Sequence, residues 1–325
     1  MSANGLPSTP AHPSPRRRVL QLAILSLIAV FWAWYLLRIW DELSAFRWQW
    51  SPAPIMGAIA LWWLYTLGQA LGWVFLNRAI GGQVSTRSGA RIWLFSMPAR
   101  YVPGNVWHVL SRMYLGSQAG LEASTVLLSS TIEQGMMVIA PLLVFLLSLV
   151  AWADRVDSRF VLLGLLFPIG LICLHPRVLA PLVRLAARLF RRPVPTVELR
   201  YAPMLALVGW YSVLHLASSL ACYLVVVSLT PVPLDEMAAV FGAYALAYVV
   251  GYLSFLTPTG LGVREAALLG LLSLLLPTPV AAVAALLSRA LSSVGELACI
   301  LMLGYCLHPR RARRGASGSC GSGAA

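Results

Sequence analysis

Charged residues are scarce in this sequence: they make up 11% of its 325 residues, against about 25% in a typical soluble domain. Hydrophobic residues account for 59% of the chain, and the mean hydropathy is +0.78. Apolar runs take up nearly all of the length and leave no room for a separate soluble domain of about 100 residues or more. The composition predicts an all-α, polytopic helical membrane protein.

Lysine is absent, and all 24 basic residues are arginine. The net charge of +13 would suggest a nucleic-acid partner in a soluble chain. Here the arginines flank apolar runs, so the bias of basic residues toward cytoplasmic loops explains them better. We expect no nucleic-acid partner.

Motifs for catalysis and for metal binding are also missing. The sequence has no phosphate-binding glycine loop, no GxSxG nucleophile motif and no zinc-binding spacing of histidines. Its five cysteines form no CxxC pair, so neither a disulfide framework nor a metal site is indicated. We expect a protein that is not an enzyme and has no cofactor.

Apolar runs along the chain predict about six full spans. Residues 1–15 are rich in Ser and Pro and are expected to be a disordered tail. The uncharged run Val19 to Leu37 is longer than the apolar core of a signal peptide, about 7–15 residues, and is therefore a first span. The other predicted spans are Pro52 to Leu76, Ala123 to Trp152, Phe160 to Leu174, Tyr201 to Leu229 and Val280 to Leu307.

The distribution of arginine predicts the orientation. Eighteen arginines lie in the N-terminal run, in the two basic regions 78–112 and 177–200, and at the C-terminus. The loops 38–51 and 153–159 hold four. Basic residues accumulate on the cytoplasmic side, so both termini are predicted inside.

Two apolar segments are interrupted by residues that cannot continue a helix. The run 257–265, Thr-Pro-Thr-Gly-Leu-Gly-Val-Arg-Glu, separates Met237 to Leu256 from Ala266 to Leu276. Arg100 to Asn105 likewise separates Ile92 to Ala99, which ends in Met97-Pro98, from Val106 to Leu115. Broken backbone is tolerated in a membrane only inside protein or beside a water-filled cavity. Each break is either a re-entrant hairpin or a plain interfacial turn, and we favour the hairpin.

The order of spans and breaks suggests two repeats within one membrane domain, 16–308. Repeat one, about 16–152, and repeat two, about 159–308, each read span, span, break, span. Three crossings per repeat would invert the second relative to the first, a plan common in transporters. Simple hydropathy counting gives eight spans instead, because Met237 to Leu256 is long enough to cross. Residues 309–325 form a basic and then Gly/Ser-rich tail.

The basic region 177–192 predicts an amphipathic helix with its arginines on one face. Such a helix would lie on the inner leaflet, with anionic lipid headgroups as partners. An ordinary cytoplasmic connector would have a similar pattern.

Ionisable residues inside the apolar segments are few, and each is a candidate for function or for a buried structural pair. They are Glu133, Arg264, Glu265, Arg289 and Glu296. We expect Glu133 to neutralise Arg264 or Arg289, and the acidic neighbour of Arg264 to be Glu133 or Glu296. Arg100 and Arg112 flank the first break, where they would either capture a phosphate or fix the topology.

The two broken segments resemble the lysylphosphatidylglycerol synthase transmembrane, or flippase-like, family. The resemblance rests on the runs Arg100 to Trp107 and Pro258 to Ala266 and on Arg112, Glu133 and Arg289, and it covers residues from about 15 to 308. Gln134 departs from the pattern, since relatives often carry a basic residue there. The soluble aminoacyl-transferase domain of the full-length synthases is not in this sequence, so only the membrane half of their activity is implied.

The resemblance implies a translocator that moves an aminoacylated phospholipid or a polyprenyl-linked lipid between leaflets of a bacterial inner membrane. Two alternatives stay open: an ion-coupled transporter of a soluble solute, and a non-transporting membrane partner of a lipid-modifying enzyme or glycosyltransferase. The candidate pathway residues are Arg100, Pro103, Gly104, Trp107, Arg112, Glu133, Pro258, Gly260, Gly262, Arg264, Glu265, Arg289 and Glu296.

Overall fold

Helices make up almost all of the chain in the computed structural model of this protein. The described residues are 26, 29–101, 106–152, 154–155, 162, 164–189, 200–254 and 257–307. Within these ranges the chain contains α-helices, short 3-10 turns and loops but no strand. The predicted all-α class is confirmed.

Twelve α-helices follow one another in the described part of the chain. They are α1 (29–38), α2 (Trp40–Ala45), α3 (Pro52–Ala79), α4 (Thr86–Ser96), α5 (Trp107–Gln118), α6 (Ala123–Trp152), α7 (Leu166–Leu174), α8 (Pro176–Leu189), α9 (Tyr201–Leu229), α10 (Met237–Leu253), α11 (Val263–Leu272) and α12 (Thr278–Leu307). Short 3-10 turns occupy Met97–Tyr101, Leu234–Glu236 and Pro258–Gly260.

Five described helices are long and apolar enough to cross a membrane. They span Pro52–Ala79, Ala123–Trp152, Tyr201–Leu229, Leu234–Leu253 and Thr278–Met302. Four of them coincide with predicted spans. The segment Leu234–Leu253 is the one that hydropathy counting treats as an additional crossing. The protein is therefore a polytopic helical membrane protein.

In the described residues both predicted breaks interrupt the helices, and the two helices that flank each break pack on each other as a helical hairpin. Re-entry of either hairpin into the membrane stays a prediction. The first hairpin, α4 and α5, has arms of 11 and 12 residues, about 16–18 Å at 1.5 Å per residue, too short for a core of about 30 Å. The second hairpin, α10 and α11, has arms of 17 and 10 residues. Neither break continues a helix, which agrees with the prediction from Pro and Gly.

Local signals in the sequence fix several helix ends. Ser51 is extended and Pro52 opens α3, at the position where the missing N–H of proline costs nothing. The Ser85 hydroxyl accepts a hydrogen bond from the Ser88 amide at 3.1 Å and caps α4. The Glu265 carboxylate accepts from the Gly262 amide at 2.6 Å, so α11 begins directly after the second break.

The helices pack in a pattern with two-fold character. The central contact joins α3 to α9, which are the second predicted spans of the two repeats. Around it, α6 packs on α10 while α12 packs on α4, and α9 meets α6 while α3 meets α12. Exchanging α3, α4, α5 and α6 for α9, α10, α11 and α12 turns these contacts into one another. Two repeats would produce this pattern, and the inversion itself stays a prediction.

Large apolar side chains cover the outside of the helices as well as the core. Tryptophans 62, 73, 93 and 152 are almost fully buried. Exposed large hydrophobic side chains include Phe75, Leu127, Leu147, Val150 and Val213. In water such a surface would be unfavourable, and in a membrane it contacts lipid chains.

Several predicted segments are described only in part. The predicted helix 177–192 is observed as α8, whose Arg177 and Arg184 are exposed. The predicted span Phe160 to Leu174 is described as a helix over Leu166–Leu174, so its full length lies outside the described residues. The tails 1–15 and 309–325 and the start of the first span also lie outside them.

Candidate functional site

The breaks of the two hairpins meet in the middle of the bundle and border one cavity. The 3-10 turn Met97–Tyr101 contacts the turn Pro258–Gly260. The adjoining cavity has a volume of about 410 Å³, within the range of small ligand sites. Its polar lining consists of Gln69, Arg100, His108, Arg112, Glu133, Gln134, Tyr248, Tyr252, Thr259, Arg264 and Arg289.

Arg112 of α5 forms a fully buried ion pair with Glu133 of α6, their side chains being 0% and 2% exposed. The guanidinium also lies over the rings of Trp73 and Trp93, at 5.1 and 5.5 Å from their centroids. Glu133 accepts further hydrogen bonds from Trp93 Nε1 at 2.7 Å and from the Tyr211 hydroxyl at 3.3 Å. Such a buried pair needs every remaining lone pair to be satisfied, and here both carboxylate oxygens have partners.

Arg100 of the first break forms an ion pair with Glu296 of α12. The Tyr101 hydroxyl donates to the same carboxylate at 3.3 Å. This pair is more open than the Arg112 pair, since the Arg100 side chain is 28% exposed and that of Glu296 10%. It ties the first hairpin to the last helix.

Arg289 of α12 is held against the second break. Its Nη2 donates to the Thr259 hydroxyl at 2.7 Å. Its Nε lies 3.2 Å from Glu265 Oε1, an electrostatic contact without hydrogen-bond geometry. The other oxygen of Glu265 holds the Gly262 amide. One carboxylate therefore both starts α11 and balances a cavity arginine.

Arg264 differs from the other three cavity arginines because aromatic rings, and no carboxylate of the described residues, surround its charge. The guanidinium lies 4.9 Å from the ring centroids of both Tyr244 and Tyr248. It donates a hydrogen bond to the Tyr244 hydroxyl, which also accepts from Trp62 Nε1 at 3.1 Å. Among the described residues no carboxylate lies within ion-pair distance of Arg264. Tyrosine faces attract a guanidinium but do not neutralise it.

The backbone of the second break requires glycine at two positions. Gly260 and Gly262 have φ of +69° and +84°, in the left-handed region where a side chain is unfavourable. A Cβ on Gly260 would lie 2.5 Å from the Gly251 carbonyl oxygen. Thr259 also has a positive φ of 55°. The backbone of the second break therefore contacts the backbone of α10 closely. This contact sets the position of Arg264.

The structure brings six of the predicted pathway residues to the cavity wall: Arg100, Arg112, Glu133, Gly260, Arg264 and Arg289. Glu265 and Glu296 do not line the cavity and are the partners of Arg289 and Arg100 respectively. Gly262 is the N-cap residue of α11. Trp107 opens α5. Pro258 belongs to the third 3-10 turn, Pro258–Gly260, whereas Pro103 and Gly104 lie outside the described residues.

The predicted pairings of these residues are wrong. Glu133 neutralises Arg112 rather than Arg264 or Arg289, and Glu296 neutralises Arg100 rather than Arg264. The Arg112 side chain is fully buried and lines the cavity rather than the protein surface, and phosphate capture by Arg100 and Arg112 stays a prediction. The error has one physical cause: a partner across the bundle is set by helix packing, which spacing in sequence does not reveal.

Sequence reasoning missed the uncharged polar side chains of the cavity. Tyr244, Tyr248 and Tyr252 recur every four residues, so they lie on one face of α10. That face carries the aromatic surroundings of Arg264. His108 and Gln134 share a contact of 3.0 Å between Nε2 atoms, and Tyr252 donates to Gln134 Oε1. The spacing of these tyrosines in the sequence would have predicted an aromatic face on this helix.

The chain is similar to a known protein family. A family described as "Lysylphosphatidylglycerol synthase TM region" matches residues 18–298, a range that includes both hairpins and all four cavity arginines. No curated protein matches the chain, and no solved structure matches it.

Proposed function

We propose, from the premise that this chain belongs to the lysylphosphatidylglycerol synthase TM-region family, that it moves a lipid with an anionic headgroup between membrane leaflets. The protein is a multi-pass membrane protein, and we place it in the bacterial cytoplasmic membrane as part of the same proposal. The movement that we propose involves no covalent chemistry.

The observation that carries the proposal is the cluster of four arginines around one cavity between two broken helices. Guanidinium groups bind phosphate oxygens through two parallel hydrogen bonds. A charged side chain inside a membrane is costly. A group of arginines beside a cavity therefore indicates a ligand with negative charge. Phosphate is the anionic group that membrane lipids share.

The size of the cavity supports a headgroup as the bound part. About 410 Å³ is at the lower end of the volumes of small-molecule sites. Acyl or prenyl chains would have to stay among the exposed apolar side chains on the outside of the helices. Only the polar part of the lipid would then enter the protein, and this part is the one that cannot cross a bilayer unaided.

Leaflet exchange in reconstituted vesicles tests the proposal. The full chain is incorporated into phosphatidylcholine vesicles that contain a trace of phosphatidylglycerol with a fluorescent acyl chain, and a membrane-impermeant reductant then quenches the outer leaflet. We expect the protected inner half of the signal to be quenched through exchange, whereas vesicles without protein retain it. Equal retention with and without protein would contradict the proposal.

Variants of Arg264 separate phosphate binding from folding. Arg264→Lys keeps the charge but loses the planar fork, so we expect normal membrane yield and exchange slower by at least about tenfold, the factor that corresponds to 1.4 kcal/mol. Arg155→Gln is the matched control, since Arg155 is 42% exposed and pairs with Glu236 in a loop. If Arg264→Lys exchanges lipid as fast as Arg155→Gln, Arg264 does not bind phosphate.

A further inference from the structure

We infer that the cavity selects headgroups with a single negative charge and no cationic group. This inference rests on the proposed function and adds the charge of the cargo. It disfavours the aminoacylated phospholipid that the sequence had suggested, because such a headgroup carries ammonium groups.

Four arginines and three carboxylates make up the charge of the site. Arg100, Arg112 and Arg289 each have a carboxylate partner, namely Glu296, Glu133 and Glu265 respectively. Arg264 has none within ion-pair distance among the described residues. With His108 counted as neutral, four positive and three negative charges leave one positive charge. A ligand with one negative charge would balance the site.

Among the described residues, the carboxylate that lines the cavity is that of Glu133, and it is not available to an ammonium group. Both oxygens of Glu133 are taken by Arg112, Trp93 and Tyr211. Glu265 holds the Gly262 amide and faces Arg289. Glu296 accepts from Arg100 and Tyr101 through Oε2. Its Oε1 has no hydrogen-bond partner among the described residues, but this carboxylate does not line the cavity.

The undescribed residues next to the breaks add no acid. Residues 102–105 are Val-Pro-Gly-Asn and residues 255–256 are Phe-Leu. The tyrosine faces that could attract an ammonium by cation–π contact include Tyr244 and Tyr248, which already face Arg264. A cationic headgroup would therefore meet uncompensated positive charge at low dielectric, where repulsion is strong.

A doubly charged headgroup would need a second free arginine. The Arg100–Glu296 pair is the source that is easiest to open, since it is partly exposed while the Arg112–Glu133 pair is fully buried. In the native protein Glu296 keeps Arg100 balanced. Replacing Glu296 by Gln would free one positive charge without changing the shape of the side chain, and should extend selection toward two negative charges.

The test measures exchange and binding with one set of headgroups at pH 8. The four lipids are phosphatidylglycerol, phosphatidic acid, phosphatidylethanolamine and lysylphosphatidylglycerol, each with the same fluorescent acyl chain. A phosphate monoester carries about two negative charges at this pH, since its second pKa is about 6. We expect phosphatidylglycerol to exchange at least about tenfold faster than the other three, a factor that corresponds to about 1.4 kcal/mol.

Variants test whether the selection among lipids depends on the number of charges at the cavity. Glu296→Gln should raise the rate for phosphatidic acid relative to phosphatidylglycerol, and Arg264→Gln should remove the preference for phosphatidylglycerol. Glu236→Gln, which alters an exposed loop pair, should leave the order of the four rates unchanged. Equal rates for all four lipids, or a fastest rate for lysylphosphatidylglycerol, would overturn the inference and leave translocation intact.

A binding readout distinguishes the two proposals if no lipid is exchanged. A ligand that binds the folded state raises its thermal midpoint, so short-chain dihexanoyl forms of the same four lipids are added to the detergent-solubilised protein. A rise with phosphatidylglycerol that Arg264→Gln abolishes supports the charge selection even when exchange is absent, and in that case only translocation fails. No difference among the four midpoints would overturn the selection.

Discussion

At the scale of single residues, buried arginines dominate the chemistry of this protein. Arg112 is the extreme case, with a fully buried guanidinium between a carboxylate and two indole rings. Position alone marked it as a flanking residue of the first break. The structure shows that its ion pair joins α5 to α6 and that Arg112 also lines the cavity.

Removing one member of this pair should be costly. We expect Glu133→Gln or Arg112→Met to lower the free energy of unfolding by about 3–5 kcal/mol, since each leaves an uncompensated buried charge. The double variant Arg112→Met with Glu133→Leu should lose less than either single change. Unfolding of the detergent-solubilised protein by heat or denaturant measures this.

The matched comparison is the exposed Arg155–Glu236 pair. Pairs of this kind contribute about 0–1 kcal/mol, so Arg155→Gln should change the unfolding free energy little. If Glu133→Gln changes the free energy of unfolding as little as Arg155→Gln, the buried pair does not stabilise the fold by the expected amount.

At the scale of secondary-structure elements, the decisive contact is between α10 and the second break. A Cβ on Gly251 would lie 2.5 Å from the Cβ of Arg264 and 3.1 Å from its Cα. Glycine at position 251 therefore allows the backbone of Arg264 to approach α10 closely. The tyrosines of α10 then reach the guanidinium from the same helix.

Gly251→Ala should displace the break. We expect a loss of about 1–3 kcal/mol in unfolding free energy, the usual cost of overpacking, together with slower lipid exchange. Gly209→Ala in α9 is the control, because a Cβ there meets nothing within 4 Å and alanine favours the helix. A Gly251→Ala protein as stable and as active as Gly209→Ala would mean that the break tolerates displacement.

At the scale of the whole molecule, hydrogen bonds and an ion pair join three connecting segments, namely the ones before α3, after α6 and between α9 and α10. Arg155 pairs with Glu236 at 2.9 Å. The amides of Gln49 and Ser51 donate to the carbonyl oxygens of Leu229 and Ser228, each at 3.1 Å. The loops 38–51 and 153–159 together hold four arginines. This low number of arginines predicts that both loops lie outside the cytoplasm. Their contact is consistent with a shared side of the membrane.

Labelling of single cysteines in intact cells tests this orientation. In a variant with all five native cysteines replaced, Asp41→Cys and Asp235→Cys should react with a membrane-impermeant maleimide. Gln83→Cys, exposed in the loop before α4, should react only after permeabilisation. Labelling of position 83 in intact cells with protection of positions 41 and 235 would reverse the predicted orientation.

Sequence reasoning recovered the elements of this protein better than their contacts. Apolar length placed α3, α6, α9 and α12, and Pro and Gly placed both breaks, because these signals are local. The charged residues of the cavity were found because ionisable groups are rare in apolar segments. Their partners were not, since Arg112 meets Glu133 and Arg100 meets Glu296 only after helices from distant parts of the chain have packed.

The packing of α3 on α9 also has a consequence for the order of synthesis. The two helices end at residues 79 and 229, and a ribosome adding about 5–20 residues per second needs on the order of ten seconds for the interval. During that time α3 lies in the membrane with Thr66, Gln69 and Asn77, which are buried in the finished protein, lacking their final surroundings. We expect the growing chain to pass through a stage in which insertion factors or its own early helices shield these side chains from lipid.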